Sequence, residues 1–581
     1  MRKIILFLLI SVTIFSCTDL EETLYSGISR DNFYNNEEEV TAAILRVYEH
    51  GRWFFTNTFD AYVLEELTAD QIVVTQKGGH WYDQGKFIRL HRHEWTSEEP
   101  EIYGTWRGAF IGVALSNTLI DELGSLDYTE IPGNLTAEMQ QMHINEMRIL
   151  RAHYYYHLVS WFGTLPISEI SSGASPDPSS REEVYNWAVA ELEEATELMP
   201  EVTYRNARGR LNKAAGKLLL ARFYLNSEVW TGTPRYAEAE QVVRAIIDGQ
   251  YGNFELDPTF YGPFAHDNAQ NSNEVIYGFA REYTFTGNFN NYNPFYHYQA
   301  PQYFGSIGQP WNGFHLQPSR VAPVRGTDYP VRESHPRFIP VDDYDRESLD
   351  MYNWSGGIGN PYEKFHDDDL RKQAFNFAGP VGVDNKDFNQ VIGMFLEGHQ
   401  DSPITGITGT GSNEYPGQDL VFVDFVARAS EGSNESATSE GEENTGIRLV
   451  KYPVYPQVFD GYMNADWTEF RLAEAYYILA ETLIRQVKPG AADAINEVKQ
   501  RNFVDYAPHA YTDAQLDLDE MLEEWGREFL GERRRRTDLI RFGKFGEAWW
   551  DKNSSASTRE LFPYPARVLS TNPNLVQNPG Y

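Results

Sequence analysis

The 581-residue chain contains a single cysteine, Cys17. One thiol closes no internal disulfide, so packing and polar pairing alone must hold the fold, even in an oxidising compartment. Positive charge is also scarce. Lys and Arg number 49 against 84 Asp and Glu, a formal net charge of -35. A surface of that sign repels nucleic acid and anionic head groups, which excludes nucleic acid as a partner. Beyond the N-terminal stretch, no apolar run reaches the roughly 20 residues that a membrane-spanning helix needs. No GxSxG, HExxH or P-loop pattern occurs. Paired carboxylates are plentiful, but in so acidic a chain pairs alone do not mark a glycosidase. No catalytic residue, cofactor or metal is expected.

What is present begins with residues 6–20, LFLLISVTIFSCTDL. Arg2 and Lys3 precede a short apolar run over residues 4–10, and small Ser16 stands directly before Cys17. This is the three-part layout of a secretory leader, too short to serve as a stable membrane anchor. A cysteine at that junction points to a bacterial lipoprotein, cut before Cys17 and acylated there. The alternative is an ordinary secreted protein with an incidental thiol. Two or three acyl chains exceed the two signals that stable attachment requires. Removing residues 1–16 moves the formal charge to about -37. Residues 17–37 are then a lipidated acidic tether.

The remainder has an ordinary apolar content of 41%, enough for a large core. Apolar spacing predicts helices over residues 38–53, 102–123, 136–162, 181–198, 212–226 and 234–248. Small Ala214, Ala215 and Ala221 suit close helix approach. The expected class is mainly α, a tetratricopeptide-like stack of helix pairs without the strict 34-residue signature. Residues 69–99 lie within this 38–250 region and are expected as an ordered aromatic loop. Residues 251–462 lose helical periodicity and read as an irregular, loop-rich binding subdomain with short strands. Within them the acidic segment 430–445 is expected to be a mobile loop. Helices return over 463–581, with Asp466 and Glu469 read as a capping box. The Pro- and Asn-rich tail is expected to lie extended over the surface.

Several separated segments resemble one family. RAHYYYHLVSWFGTLPI at 151–167 looks like a helix with a YG-x-PL ending. GRLNKAAGKLLLARFYL at 209–225 and FRLAEAYYILAETLIR at 470–485 are similar to two further signatures. REFLGERRRRTDLIRFGKF at 527–545 matches a fourth imperfectly, and the tail LFPYPARVLSTNPNLVQNPGY matches a fifth closely. In this order they resemble the SusD/RagB family of Bacteroidetes outer-membrane lipoproteins. The resemblance implies a non-catalytic cell-surface protein that binds oligo- or polysaccharide. It would deliver this ligand to a TonB-dependent SusC-like transporter and be anchored in the outer membrane through lipidated Cys17. Asp19, Glu21 and Glu22 resemble the surface-export signal of such lipoproteins. Capture of peptides or another nutrient on the same scaffold, and a secreted glycoside hydrolase, are the rival readings.

Sugar rings have apolar faces and a rim of hydroxyls, so a site needs aromatic platforms with polar neighbours. The chain has 36 Tyr and 13 Trp. Two loops combine them with suitable partners. In residues 77–95, Trp81 and Tyr82 follow a glycine pair, with Lys77, Asp83 and Arg89 as hydroxyl partners. In residues 292–314, Tyr298, Tyr303, Trp311 and Asn312 are candidates, and Trp354 is a third possibility. The loop of Trp81 and the PWNG turn of Trp311 also resemble the places where starch- and xylan-type members hold sugars. Burial under a loop is the alternative for each ring. His80, His91 and His93 are read as hydrogen bonding rather than metal ligation. Asp342, Asp343 and residues 367–369 are read as solvated or salt-bridged, and Arg533 to Arg536 as paired with carboxylates between helices.

Overall fold

The described residues of the computed structural model are 33–171, 176–282, 293–298, 310–321, 350–351, 358–377, 391–399, 421–426, 436–453 and 464–581. Local sequence chemistry starts several of the helices. Asn36 accepts a hydrogen bond from the Glu39 amide, and Glu37, Glu38 and Glu39 place negative charge where the helix dipole favours it. Helix α1 (Glu37–Thr56) then buries Val40, Ile44 and Val47 along one face. It is followed by α2 (Ala61–Glu66), β1 (Ile72–Val74), α3 (Lys86–His91) and α4 (Pro100–Gly124). Helix α5 (Ala137–Phe162) is capped by Thr136 and stops at Gly163, whose φ is 74°. Ser180 and Glu183 form a full capping box at the start of α6 (Arg181–Ala195). Asn212 caps α7 (Lys213–Thr231), and α8 (Tyr236–Ile247) follows.

Each helix from α4 to α8 packs on the next. Close approach depends on small residues: a Cβ added at Gly112 of α4 would lie 2.1 Å from the Tyr154 ring of α5. The chain then leaves the stack through β2 (Val275–Phe279), β3 (Phe314–Leu316) and several two-residue strands. It returns through β4 (Trp467–Arg471) into α9 (Leu472–Arg485), α10 (Ala491–Lys499), α11 (Leu518–Glu528) and α12 (Arg535–Arg541). Helix α9 packs directly against α8, and α10 against α9. The helical stack is therefore continuous in space and interrupted only in sequence. Antiparallel pairing of β2 with β4, from Trp467 opposite Phe279 to Arg471 opposite Val275, closes the base of the excursion. Antiparallel β1 and β3 pair Ile72 with Leu316 and Val74 with Phe314, joining the excursion to the N-terminal part. One contiguous cluster of buried hydrophobic side chains draws on all these parts.

Four local expectations change. Asp466 and Glu469 cap no helix, because β4 occupies 467–471 and α9 begins at Leu472. Burying Trp467 and Phe470 in the sheet outweighs the local cap. Asp466 instead accepts from the Tyr204 hydroxyl (2.7 Å) and Arg208 (2.8 Å). Residues 69–99 are not all loop, since they contain β1 and α3. The described part of the acidic segment, 436–445, is packed: Glu443, Asn444 and Thr445 are fully buried. Its polarity is satisfied internally, for example by Asn444 Nδ2 donating to the Val421 carbonyl at 2.9 Å. Finally, the tail is docked rather than draped. Phe562 and Tyr564 are buried, the Phe562 amide donates to the Trp161 carbonyl (2.7 Å), and Asn578 Nδ2 reaches the Phe162 carbonyl (3.0 Å). Three of the four arginines in the run pair as expected, Arg533 with Glu469, Arg534 with Glu474 and Arg535 with Asp70, whereas Arg536 donates to the Glu560 backbone carbonyl at 2.6 Å.

Candidate ligand-binding site

The first aromatic loop is built on a tight turn. Lys77 and His80 exchange both backbone hydrogen bonds at 2.9 Å around the glycine pair. Past the turn, Trp81, Asp83 and Gln84 have φ of 59°, 41° and 56°. Left-handed backbone costs an L-residue roughly 1–2 kcal/mol, and such outliers cluster at ligand clamps. Anchoring Trp81 holds this conformation. Its Nε1 donates to the Trp311 carbonyl at 3.0 Å, and its ring packs on Phe87 and Phe314. Gly313 makes room for the indole, since a Cβ there would lie 2.4 Å from it.

The second loop is fixed from below. The Trp311, Asn312 and Gly313 amides donate to the carbonyls of Asn293 (3.0 Å), Tyr296 (2.8 Å) and Pro294 (2.6 Å). Trp311 stacks on Phe59, with centroids 5.4 Å apart and planes inclined by 26°. The two sequence-distant loops thus form one aromatic shelf. Tyr82 projects from it, 50% exposed, while Trp81, Trp311 and Tyr298 are half-buried. Tyr298 stands edge-on to His80 at 6.4 Å. Burial, and then the Glu443 carboxylate, push its hydroxyl up to about 12. Beside Tyr82, Asp83, Gln84, Lys86, Arg89, Thr96 and Glu98 line a polar groove of about 370 Å³.

Beneath the shelf lies a buried polar layer. Asn312 Nδ2 donates to the Glu443 carbonyl at 2.9 Å and to its carboxylate, while Asn312 Oδ1 accepts from Arg448 at 2.8 Å. His80 Nδ1 lies 3.2 Å from Glu443 Oε1. Lys77 Nζ contacts the carbonyls of Thr75 and Gly313, each at 3.3 Å. Burial, and then Arg448, push the Lys77 ammonium down to about 7.

These placements revise the role of three candidates. Lys77 and Asn312 have no exposure, so they support the loops and do not face a ligand. Arg89 is committed to Glu99 through two hydrogen bonds (2.5 and 2.8 Å) and to the Gln84 carbonyl (2.6 Å). The structure brings Trp81, Tyr82, Asp83, Tyr298 and Trp311 together. Tyr303, Trp354 and Cys17 lie outside the described residues. His91 and His93 hydrogen bond to the Trp550 and Thr68 carbonyls at 2.6 and 2.9 Å, as the hydrogen-bonding reading expects. Phe59, Gln84, Glu443 and Arg448 were not signalled by sequence. Glu443 and Arg448 sit in or next to a segment whose composition reads as solvated, and only their partners reveal otherwise.

Comparison with known proteins decides the family. Residues 273–581 match the sequence model of the SusD family, and residues 28–225 match one described as starch-binding associating with outer membrane. The chain belongs to the SusD family. Among curated relatives of this SusD-family chain is the Starch-binding protein SusD of Bacteroides thetaiotaomicron, 28% identical over 91% of this chain and 86% of the relative. SusD-like protein P25 of Formosa agariphila is 22% identical over 100% of this chain and 99% of that one. Solved structures with the same fold include Surface glycan-binding protein A from Bacteroides fluxus. Its TM-score is 0.61 at 18% identity, covering 94% of this chain and 100% of that chain. Surface glycan-binding protein A from Bacteroides thetaiotaomicron, solved in complex with laminarihexaose, has a TM-score of 0.58 at 19% identity. It covers 94% of this chain and 99% of that one. The mainly helical SusD-like architecture expected from the sequence is the one observed. Among the described residues, no helix is long and apolar enough to cross a membrane.

Proposed function

We propose that this SusD-family protein binds oligo- or polysaccharide at the cell surface without cleaving it. It passes the glycan to a SusC-like TonB-dependent transporter and is held to the outer membrane through lipidated Cys17. The observation that carries the reading is the shelf formed where Trp81 hydrogen bonds to the Trp311 carbonyl. It offers Tyr82, Trp81 and Trp311 as surfaces for the apolar faces of sugar rings, with Asp83 and Gln84 beside them for hydroxyls. The strong negative charge favours neutral polysaccharides over anionic ones. A relative described as starch-binding, and a same-fold protein solved with laminarihexaose, support neutral glucans as the first ligands to test.

The test is calorimetric titration of the chain lacking residues 1–16 with starch- and laminarin-derived oligosaccharides, with product analysis of the mixture. Trp311→Ala and Tyr82→Ala are each expected to weaken binding about ten-fold or more, ~1.4 kcal/mol, without changing the far-UV circular dichroism. Unchanged affinity in both variants sinks the shelf as the site, and release of shorter sugars sinks the non-catalytic reading. Co-purification of a TonB-dependent transporter with the tagged lipoprotein from solubilised outer membranes tests the partner.

A further inference from the structure

Away from the shelf, His366, Asp368 and His509 converge at the surface. Each offers one donor atom, and the three atoms lie within 4.8 Å of one another. Asp368 Oδ2 is 3.3 Å from His509 Nε2 and 3.7 Å from His366 Nδ1. A tetrahedral ion with bonds of about 2.0–2.2 Å separates its donors by roughly 3.3–3.6 Å, so the two separations from Asp368 are close to those of a coordination polyhedron. The rings are also oriented. The Asp368 amide donates to His366 Nδ1 at 3.1 Å, so that nitrogen carries the lone pair, and an ion bound there takes the place of this hydrogen bond. Phe503 stacks on His509 with centroids 4.2 Å apart and planes 19° from parallel, which fixes that imidazole. The neighbouring cation Lys372 is directed to Asp367 at 2.7 Å. His366 and Asp368 are 59% and 71% exposed, so water can complete the coordination.

A second cluster, His153, His157 and Glu469, makes a useful contrast. It is held in the core, and Glu469 is already paired with the guanidinium of Arg533 and lies 3.6 Å from that of Arg222. Those cations oppose a divalent ion there. No guanidinium pairs with the carboxylate of the exposed cluster among the described residues.

We propose that His366, Asp368 and His509 form a binding site for a divalent ion of the zinc type, with two imidazole nitrogens, one carboxylate oxygen and water as ligands. The ion pins residues 366–368 of the irregular region to the 507–509 turn of the C-terminal helical region. It is a tie between two parts of the chain, independent of the glycan shelf.

The test uses metal-free protein lacking residues 1–16, titrated with Zn2+ by equilibrium dialysis, and with Co2+ as an absorption probe of coordination. One Zn2+ per chain is expected, with an accompanying rise in melting temperature. His366→Ala removes an exposed ring and leaves the fold intact, as circular dichroism will verify. It and His509→Ala are each expected to lower Zn2+ affinity about 100-fold and to abolish the melting shift. Equal Zn2+ affinity in wild type and the His366→Ala/His509→Ala double variant overturns the site. So does a wild type that binds no Zn2+.

Discussion

Lys77 illustrates how a single side chain changes meaning between sequence and structure. Beside a glycine pair and two aromatics it looks like a hydroxyl donor for a sugar. In the fold it has no exposure, and burial followed by Arg448 pushes its ammonium down to about 7. The unfolded value is near 10.4. Between these values the unfolded chain holds a proton that the folded chain lacks, so stability rises with pH across that window. The unfavourable contribution is complete below about pH 7. Lys77→Met is therefore expected to flatten the pH dependence between 7 and 10. At pH 7 it is expected to raise stability by about 1–2 kcal/mol, read from urea unfolding at several pH values. A loss of stability at pH 7 with an unchanged slope contradicts this account. Trp81 and Trp311 are both half-buried in the shelf. Their joining through an indole-to-carbonyl bond is a fact of the fold alone.

Among the elements, the long helices were the most legible. Predicted helices over 38–53, 102–123 and 136–162 become Glu37–Thr56, Pro100–Gly124 and Ala137–Phe162, because caps such as Thr136 and stops such as Gly163 are local. The start of α9 was not legible. Asp466 and Glu469 have the spacing of a cap, yet pairing between β4 and β2 claims the segment. The packing of α4 on α5 gives a test at this scale. A methyl at Gly112 would meet the Tyr154 ring at 2.1 Å, against a gain in helix propensity of about 1 kcal/mol. Overpacking, at about 1–3 kcal/mol, is the larger effect, so Gly112→Ala is expected to destabilise by a net of up to ~2 kcal/mol in chemical denaturation. A stabilised variant means that the two helices separate easily, and the packing argument fails.

The molecule as a whole is tied by buried ions. Glu528, at the end of α11, accepts from Arg371 of the irregular region (2.8 Å), Arg471 of β4 (2.7 Å) and Arg501 beyond α10 (2.9 Å). Burial alone would raise this carboxyl. The guanidiniums of Arg471, Arg501 and Arg371 overcome that and hold it down to about 2. The contribution is present above the unfolded value near 4.3 and is lost as pH falls from there towards 2. Glu528→Gln leaves three buried cations short of a counter-charge. A cost of about 3–5 kcal/mol at pH 7 is expected, narrowing as the pH approaches 2. Denaturation of both proteins across that range checks it, and a constant difference at every pH rules out the ionic origin. With no disulfide available, this network and the continuous core join the helical stack to its excursion.

The sequence by itself determined the class, the helix positions, the leader signature around Cys17 and the aromatic types that a sugar site needs. Each depends on neighbours within a few residues, or on composition. Only the tertiary structure decided that the helices before residue 251 and those after residue 471 form one stack, and that the acidic 436–445 segment is interior. It alone distinguished which of the candidates support the shelf and which form it. Those outcomes turn on partners far apart in the chain, such as Asn312 with Glu443 and Trp81 with Gly313. Burial of a polar group is decided by whether such a partner arrives, and one-dimensional spacing carries no record of that.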